Sequence, residues 1–291
     1  MLSRTWALTK IELYKLTRQK LFYIALFLLI IVVALSVFSE KIAPSTKGHV
    51  NGFNPLLSGC LNGFRLSAFL ILIMGSLLFA SETTFGTIKT ILIAPIKRSE
   101  LLMAKAITII ILAILFAFLI ETTSFISSWA VYGFADIADP TFPDIIHLAE
   151  SDMLLYIVYT FIHIILPLIT IGLMGLFIST LIENAGIAVA ISIIVYLIID
   201  TFIVGLFENL STFLFNYYLN YYLCTLKDIS EGVLQEIWKF KIINSFFGIQ
   251  QEDIITDAPR KIEIIKSIII PIVYSVILII LSIITVNKKT S

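Results

Sequence analysis

Residues 21–38 read LFYIALFLLIIVVALSVF, an apolar run without a single charged side chain. A helix rises about 1.5 Å per residue, so roughly 20 such residues cross the ~30 Å of bilayer hydrocarbon. Comparable runs extend from Phe64 to Ala80, Lys105 to Phe125, Met153 to Thr180, Ala185 to Phe207 and Ser267 to Val286. None shows the alternation of lipid-facing and lumen-facing residues that marks a membrane strand. The expected fold is therefore an all-α membrane protein with six transmembrane helices, forming a single transmembrane domain over residues 1–291.

Composition points the same way. Of 291 residues, 59% are hydrophobic and 14% are charged, with a mean hydropathy of +1.01. Soluble domains carry about 25% charged residues because water-facing surface needs them. The formal net charge is zero, and no basic patch suggests a nucleic-acid partner. Cys60 and Cys224 both fall in segments expected outside the cell, where either a disulfide or two free thiols is open.

Orientation follows from Lys and Arg near the span ends. Arg4, Lys10, Lys15, Arg18 and Lys20 precede the first span. Lys89, Lys97, Arg98 and Lys105 lie in or beside the second-to-third connection, and Lys288 and Lys289 are in the tail. The opposite side has Lys41, Lys47 and Arg65 in its first loop, no Lys or Arg between Glu121 and Asp152, and six in the 208–266 loop, which is long enough to constrain orientation only weakly. Both termini are expected in the cytoplasm of a multi-pass plasma-membrane protein. The cytoplasmic segments, 81–104 and the turn at Glu183-Asn184 among them, are too short to fold into a catalytic domain.

The first 20 residues combine Trp6, Leu13, Leu16 and Lys20 near helical spacing with flanking basic residues. That pattern suits a helix lying on an anionic leaflet, or a positive flank that merely orients the first span. The connection after the second span reads SETTFGTIKTILIAPIKRSELLMAK over residues 81–105. Glu82 follows directly on the span, Gly86 can supply a turn and Thr87 can cap a short helix. Pro95 would end that helix, because proline disfavours helical geometry in the residue before it. A short helix parallel to the membrane between two spans is a handle that a cytosolic partner can push.

This stretch, an acid, Gly-Thr, a basic residue, leucine, proline, a basic pair and lysine between the second and third of six spans, resembles the ABC-2 type permease family. Those proteins are the membrane subunits of ABC exporters. In layout the resemblance covers the whole chain; at the level of residues it rests on Glu82 to Lys105, with support from Gly175 to Gly186. It implies a coupling helix near Phe85 to Pro95, involving Glu82, Phe85, Gly86, Thr87, Lys89, Leu92 and Pro95. That helix would dock on a separate P-loop ATPase subunit, two per complex, beside a second permease, identical or homologous. ATP and Mg would be bound by the partner. The chain itself has no G-x-x-x-x-G-K-[ST] phosphate loop, so no enzymatic activity is expected of it.

Polar groups inside spans are costly in lipid and are functional candidates by default. His163 falls near the middle of the fourth span, with Thr160 on its face and Pro167 one turn further on. They could line a substrate path or simply pack against a neighbouring helix. Glu121 and Asp200 are placed at the external ends of the third and fifth spans, at headgroup level. With Asp136, Asp139, Asp144, Glu150 and Asp152 they make an acidic external mouth, which would favour cationic or zwitterionic molecules. The external segment 208–266 is rich in interfacial aromatics such as Tyr217, Tyr218 and Trp238.

No H-E-x-x-H motif occurs, and His49, His147 and His163 lack metal-ligand spacing. The leading expectation is an ATP-driven exporter permease that moves an amphipathic or hydrophobic substrate, a peptide toxin or antimicrobial peptide first. One alternative is an ion-coupled secondary transporter using His163, Glu121 and Asp200. Another is a non-transporting, peptide-binding immunity subunit.

Overall fold

A computed structural model describes residues 2–42, 53–84, 97–133, 150–198 and 258–288. These form seven helices in chain order: α1 (Leu2–Thr17), α2 (Lys20–Ile42), α3 (Phe53–Thr84), α4 (Arg98–Tyr132), α5 (Glu150–Leu181), α6 (Ala185–Ile198) and α7 (Ala258–Lys288). No strand occurs among the described residues.

Five of the helices, α2, α3, α4, α5 and α7, contain a stretch long and apolar enough to cross a membrane. The fifth expected span is represented by α6, which has 14 described residues; its continuation to Phe207 lies outside the described residues. Several helices outrun the apolar runs that announced them. α3 begins at Phe53, so Arg65, expected in an external loop, is instead an exposed residue of this helix. α4 has 35 residues, about 52 Å of helix against ~30 Å of hydrocarbon. Hydropathy fixes where a helix meets lipid. It does not mark where backbone hydrogen bonding stops.

α3 is the hub, packed against α2, α4, α5 and α6. Its apolar stretch is 67% buried, whereas that of α7 is 17% buried and leaves Ile272, Val276, Ile280 and Ile284 outward. The core runs through Leu29, Ala68, Leu72, Ile109, Phe116, Leu168 and Ile171. With lipid outside, hydrophobicity does not drive helices together, so close backbone approach and interhelical hydrogen bonds must do so. Glycine provides the approach. A Cβ on Gly75 would collide with the Gly172 carbonyl oxygen, and one on Gly175 would lie 2.5 Å from the Leu72 carbonyl oxygen. α3 and α5 therefore touch backbone to backbone.

α1 joins α2 through a tight connection at Arg18-Gln19, where the Gln19 amide donates to the Leu16 carbonyl. The face that α1 packs against the bundle is Thr5, Thr9, Glu12 and Leu16, all buried. Trp6, Ile11 and Tyr14 point outward. The packed face is thus largely polar. The Thr9 hydroxyl donates to the Thr5 carbonyl at 2.9 Å, which removes part of the cost of burying it.

Candidate functional site: an ionic ring at the α1 end of the bundle

α1, the C-terminal end of α3 and the first turns of α4 meet around four charged side chains. Lys15 Nζ lies 2.9 Å from Glu12 Oε1 and 2.8 Å from Glu82 Oε1. Lys105 Nζ lies 3.1 Å from Glu12 Oε2 and 3.0 Å from Glu82 Oε2. Each lysine bridges both glutamates and each glutamate bridges both lysines, closing a neutral ring. Lys105 also donates to the Leu78 carbonyl oxygen at 2.6 Å. Its side chain is fully buried and those of Glu12 and Glu82 nearly so, while Lys15 is 44% exposed.

Taking charge out of water costs several kcal/mol per ion, and this is recovered only where partners and extra hydrogen bonds surround it. The ring has that form: two bridging carboxylates and a carbonyl around the buried ammonium. At Lys15, partial burial would lower the pKa, but the hydrogen bonds from its ammonium to Glu82 and Glu12 outweigh it and hold the pKa above the ordinary 10.5.

The two residues after Glu82 extend the junction. Thr83 and Thr84 hydroxyls donate to the Glu183 carbonyl oxygen at 2.6 and 3.0 Å, and the Ala185 amide donates to Thr84 Oγ1 at 2.9 Å. Asn184 caps α6, its Oδ1 accepting from the Gly186 and Ile187 amides at 2.9 and 3.3 Å. Residues 82–84 thus bind α1, α4 and the α5–α6 turn. They immediately precede 85–96, so the expected coupling residues Phe85, Gly86, Thr87, Lys89, Leu92 and Pro95 lie outside the described residues.

A second polar cluster joins α3, α4 and α5. Thr160 donates to Glu121 Oε1 at 2.6 Å, and the Cys60 thiol donates to Glu121 Oε2 at 3.6 Å. Glu121 is 7% exposed, turned inward between helices. Cys60, expected in an external segment, is a buried free thiol within α3. Cys224 and Asp200 lie outside the described residues. On α5, His163 is half-buried and Pro167 is buried within the continuous helix. The structure therefore brings Thr160 and Glu121 together as a pair. No group of three or more His, Cys, Asp or Glu suited to a metal occurs among the described residues.

Of the ring, only Glu82 stood out as a candidate in the sequence. The signals for the others were present. Glu12 is the lone acid of the first 20 residues, and Lys105 interrupts an apolar helix between two alanines. A buried cation needs an acid, and Glu12 and Glu82 were available.

Residues 8–194 match the family described as ABC-2 family transporter protein. The chain belongs to this family. The match spans α1 from Leu8 to most of α6, and so includes every member of the ionic ring and the Glu121 cluster. ABC-2 permeases are non-enzymatic membrane subunits that normally work with ATPase partners. Comparison with curated proteins yields no match to this chain.

Proposed function

We propose that this ABC-2 permease is the membrane-spanning subunit of an ATP-driven exporter, with a coupling helix near Phe85 to Pro95. The observation that carries the reading is the wiring of Glu82, Thr83 and Thr84 to α1, α4 and the α5–α6 turn. A segment that a partner pushes is useful only if its root is fastened to the helices that must move. This root is fastened to α1, α4 and the α5–α6 turn. Six spans, with the ring and both termini on the cytoplasmic side, agree with the basic residues gathered there. Two ATPase subunits holding ATP and Mg, with a second permease, complete the complex. The cargo is an amphipathic or hydrophobic molecule, an antimicrobial or toxic peptide first, carried outward by alternating access.

The test is purification of the tagged chain from its host in mild detergent, with mass spectrometry of what accompanies it. A stoichiometric P-loop ATPase, lost when Gly86 and Thr87 are replaced by bulky residues, is the expected result. Recovery of the permease alone under several detergents would remove the reading. An ion-coupled transporter is favoured by one observation, the buried carboxyl of Glu121 against Thr160. Glu121→Gln separates the two. ATP-dependent export survives it, whereas ion-coupled transport through Glu121 would not.

A further inference from the structure

The ring has an effect on the outside of α1. It turns the helix's one acid, Glu12, inward and leaves it 3% exposed. The outward surface of α1 is then left with Arg4, Lys10 and Arg18 as charged groups, beside half-exposed Lys15 and the exposed Trp6, Ile11 and Tyr14. Arg18 is held in place. Its Nη2 and Nε donate to the Tyr14 hydroxyl at 2.8 and 3.2 Å, and its guanidinium lies 5.1 Å from the ring centroid. A guanidinium has five N–H donors, so donors remain for a phosphate. A face of cations with tryptophan, tyrosine and isoleucine complements an anionic headgroup layer over acyl chains, and its charge is of one sign.

We infer that the outer face of α1 is a binding surface for anionic phospholipid, and that its occupancy is transmitted through Glu12 and Lys15 to the root of segment 85–96. The ring makes the transmission mechanical. α1 cannot shift toward or away from the leaflet without drawing on Glu82 through Lys15 and on Lys105 through Glu12. Anionic lipid content would then set how firmly residues 82–84 are held. This goes beyond the exporter reading and does not require a partner ATPase to be present.

The test uses the full chain in lipid nanodiscs of phosphatidylcholine, with or without phosphatidylglycerol. In a Trp129→Phe, Trp238→Phe background, brominated phosphatidylglycerol should quench Trp6 more strongly than brominated phosphatidylcholine. Replacing Arg4, Lys10 and Arg18 with glutamine should abolish that preference, since each cation near the surface is worth about a fivefold change in partitioning. These residues are exposed, so the variant should fold. Equal quenching by the two lipids in the parent would overturn the binding half. For transmission, phosphatidylglycerol should slow hydrogen exchange at the amides of residues 82–96 in the parent. The change should vanish in Glu12→Gln, Lys15→Met, a variant that keeps the Glu82–Lys105 pair intact. Unchanged exchange in the parent, or the same slowing in that variant, would overturn the second half. Loss of the ATPase partner in co-purification would count against the exporter alone.

Discussion

At the scale of the residue, Lys105 is the most demanding side chain among the described residues. It is fully buried, and its ammonium is met by Glu12, Glu82 and the Leu78 carbonyl. Lys105→Met would leave two buried carboxylates sharing only Lys15. Breaking a buried pair from one side costs about 3–5 kcal/mol, so a fall of that size in thermal or denaturant unfolding in mild detergent is the expected outcome. Glu12→Gln, Lys15→Met removes one charge of each sign and should cost less than either single change, a non-additivity that a double-mutant cycle reads directly. Lys15 adds a pH signature. Its pKa is raised in the fold, so its contribution is complete below the unfolded value near 10.4 and is lost as pH climbs through the higher folded value. Stability should therefore be insensitive to Lys15 titration at neutral pH and fall in strong alkali, and Lys15→Met should flatten that alkaline limb. Exposure to solvent keeps the effect small. These charges were visible in the sequence, but their pairing was not. Contacts between positions 12, 82 and 105 depend on how three helices cross, which a hydropathy pattern does not encode.

At the scale of the element, glycine decides which helices lie together. A methyl group on Gly75 meets the backbone oxygen of Gly172, which cannot rotate away as a side chain can. Gly75→Ala should force α3 and α5 apart and depress folded yield and melting temperature. Gly186→Ala, where the nearest atom is 3.4 Å away at Asn184 Oδ1, should be tolerated or mildly stabilising because alanine favours helix. Melting both variants in one detergent checks the contrast. The long apolar helices were legible in the sequence because lipid imposes one requirement, a continuous apolar length. The packed face of α1 was not. Its pattern indicates the leaflet it could lie on, whereas the side that meets the bundle is set by a buried lysine on a neighbouring helix that needs acidic partners, with Thr5, Thr9 and Glu12 turned inward.

At the scale of the whole molecule, α3, α4 and α5 form a dense centre while α2 and α7 lie largely outward. The ring, the α3 terminus and the α5–α6 turn share one end, so α6 leaves that end as α4 does. If residues 199–207 continue α6 across the membrane, both termini lie on the same side. Tags at the two ends should then become protease-sensitive together, in inverted vesicles only. Protection of one tag with cleavage of the other would mean that α6 does not complete a crossing. Export, partner number and cargo are properties of an assembly, and no single residue pattern in this chain specifies them.

Two prolines give that whole a waist. Pro167 and Pro271 lie inside α5 and α7, and each removes a backbone donor from its helix. Thr170 stands between them, its hydroxyl 3.1 Å from the Leu166 and Pro271 carbonyl oxygens and 3.0 Å from the Ser275 hydroxyl. On one side of this level, Gly172 and Gly175 clamp α5 to α3; on the other, Thr160 holds α5 to Glu121. The helical ladder is thinnest between two firm grips. A bend at that height would swing the far half of α5, with Thr160, against α3 and α4, each of which runs unbroken from the Glu121 cluster to the ionic ring, so the soft joint lies in α5 and α7.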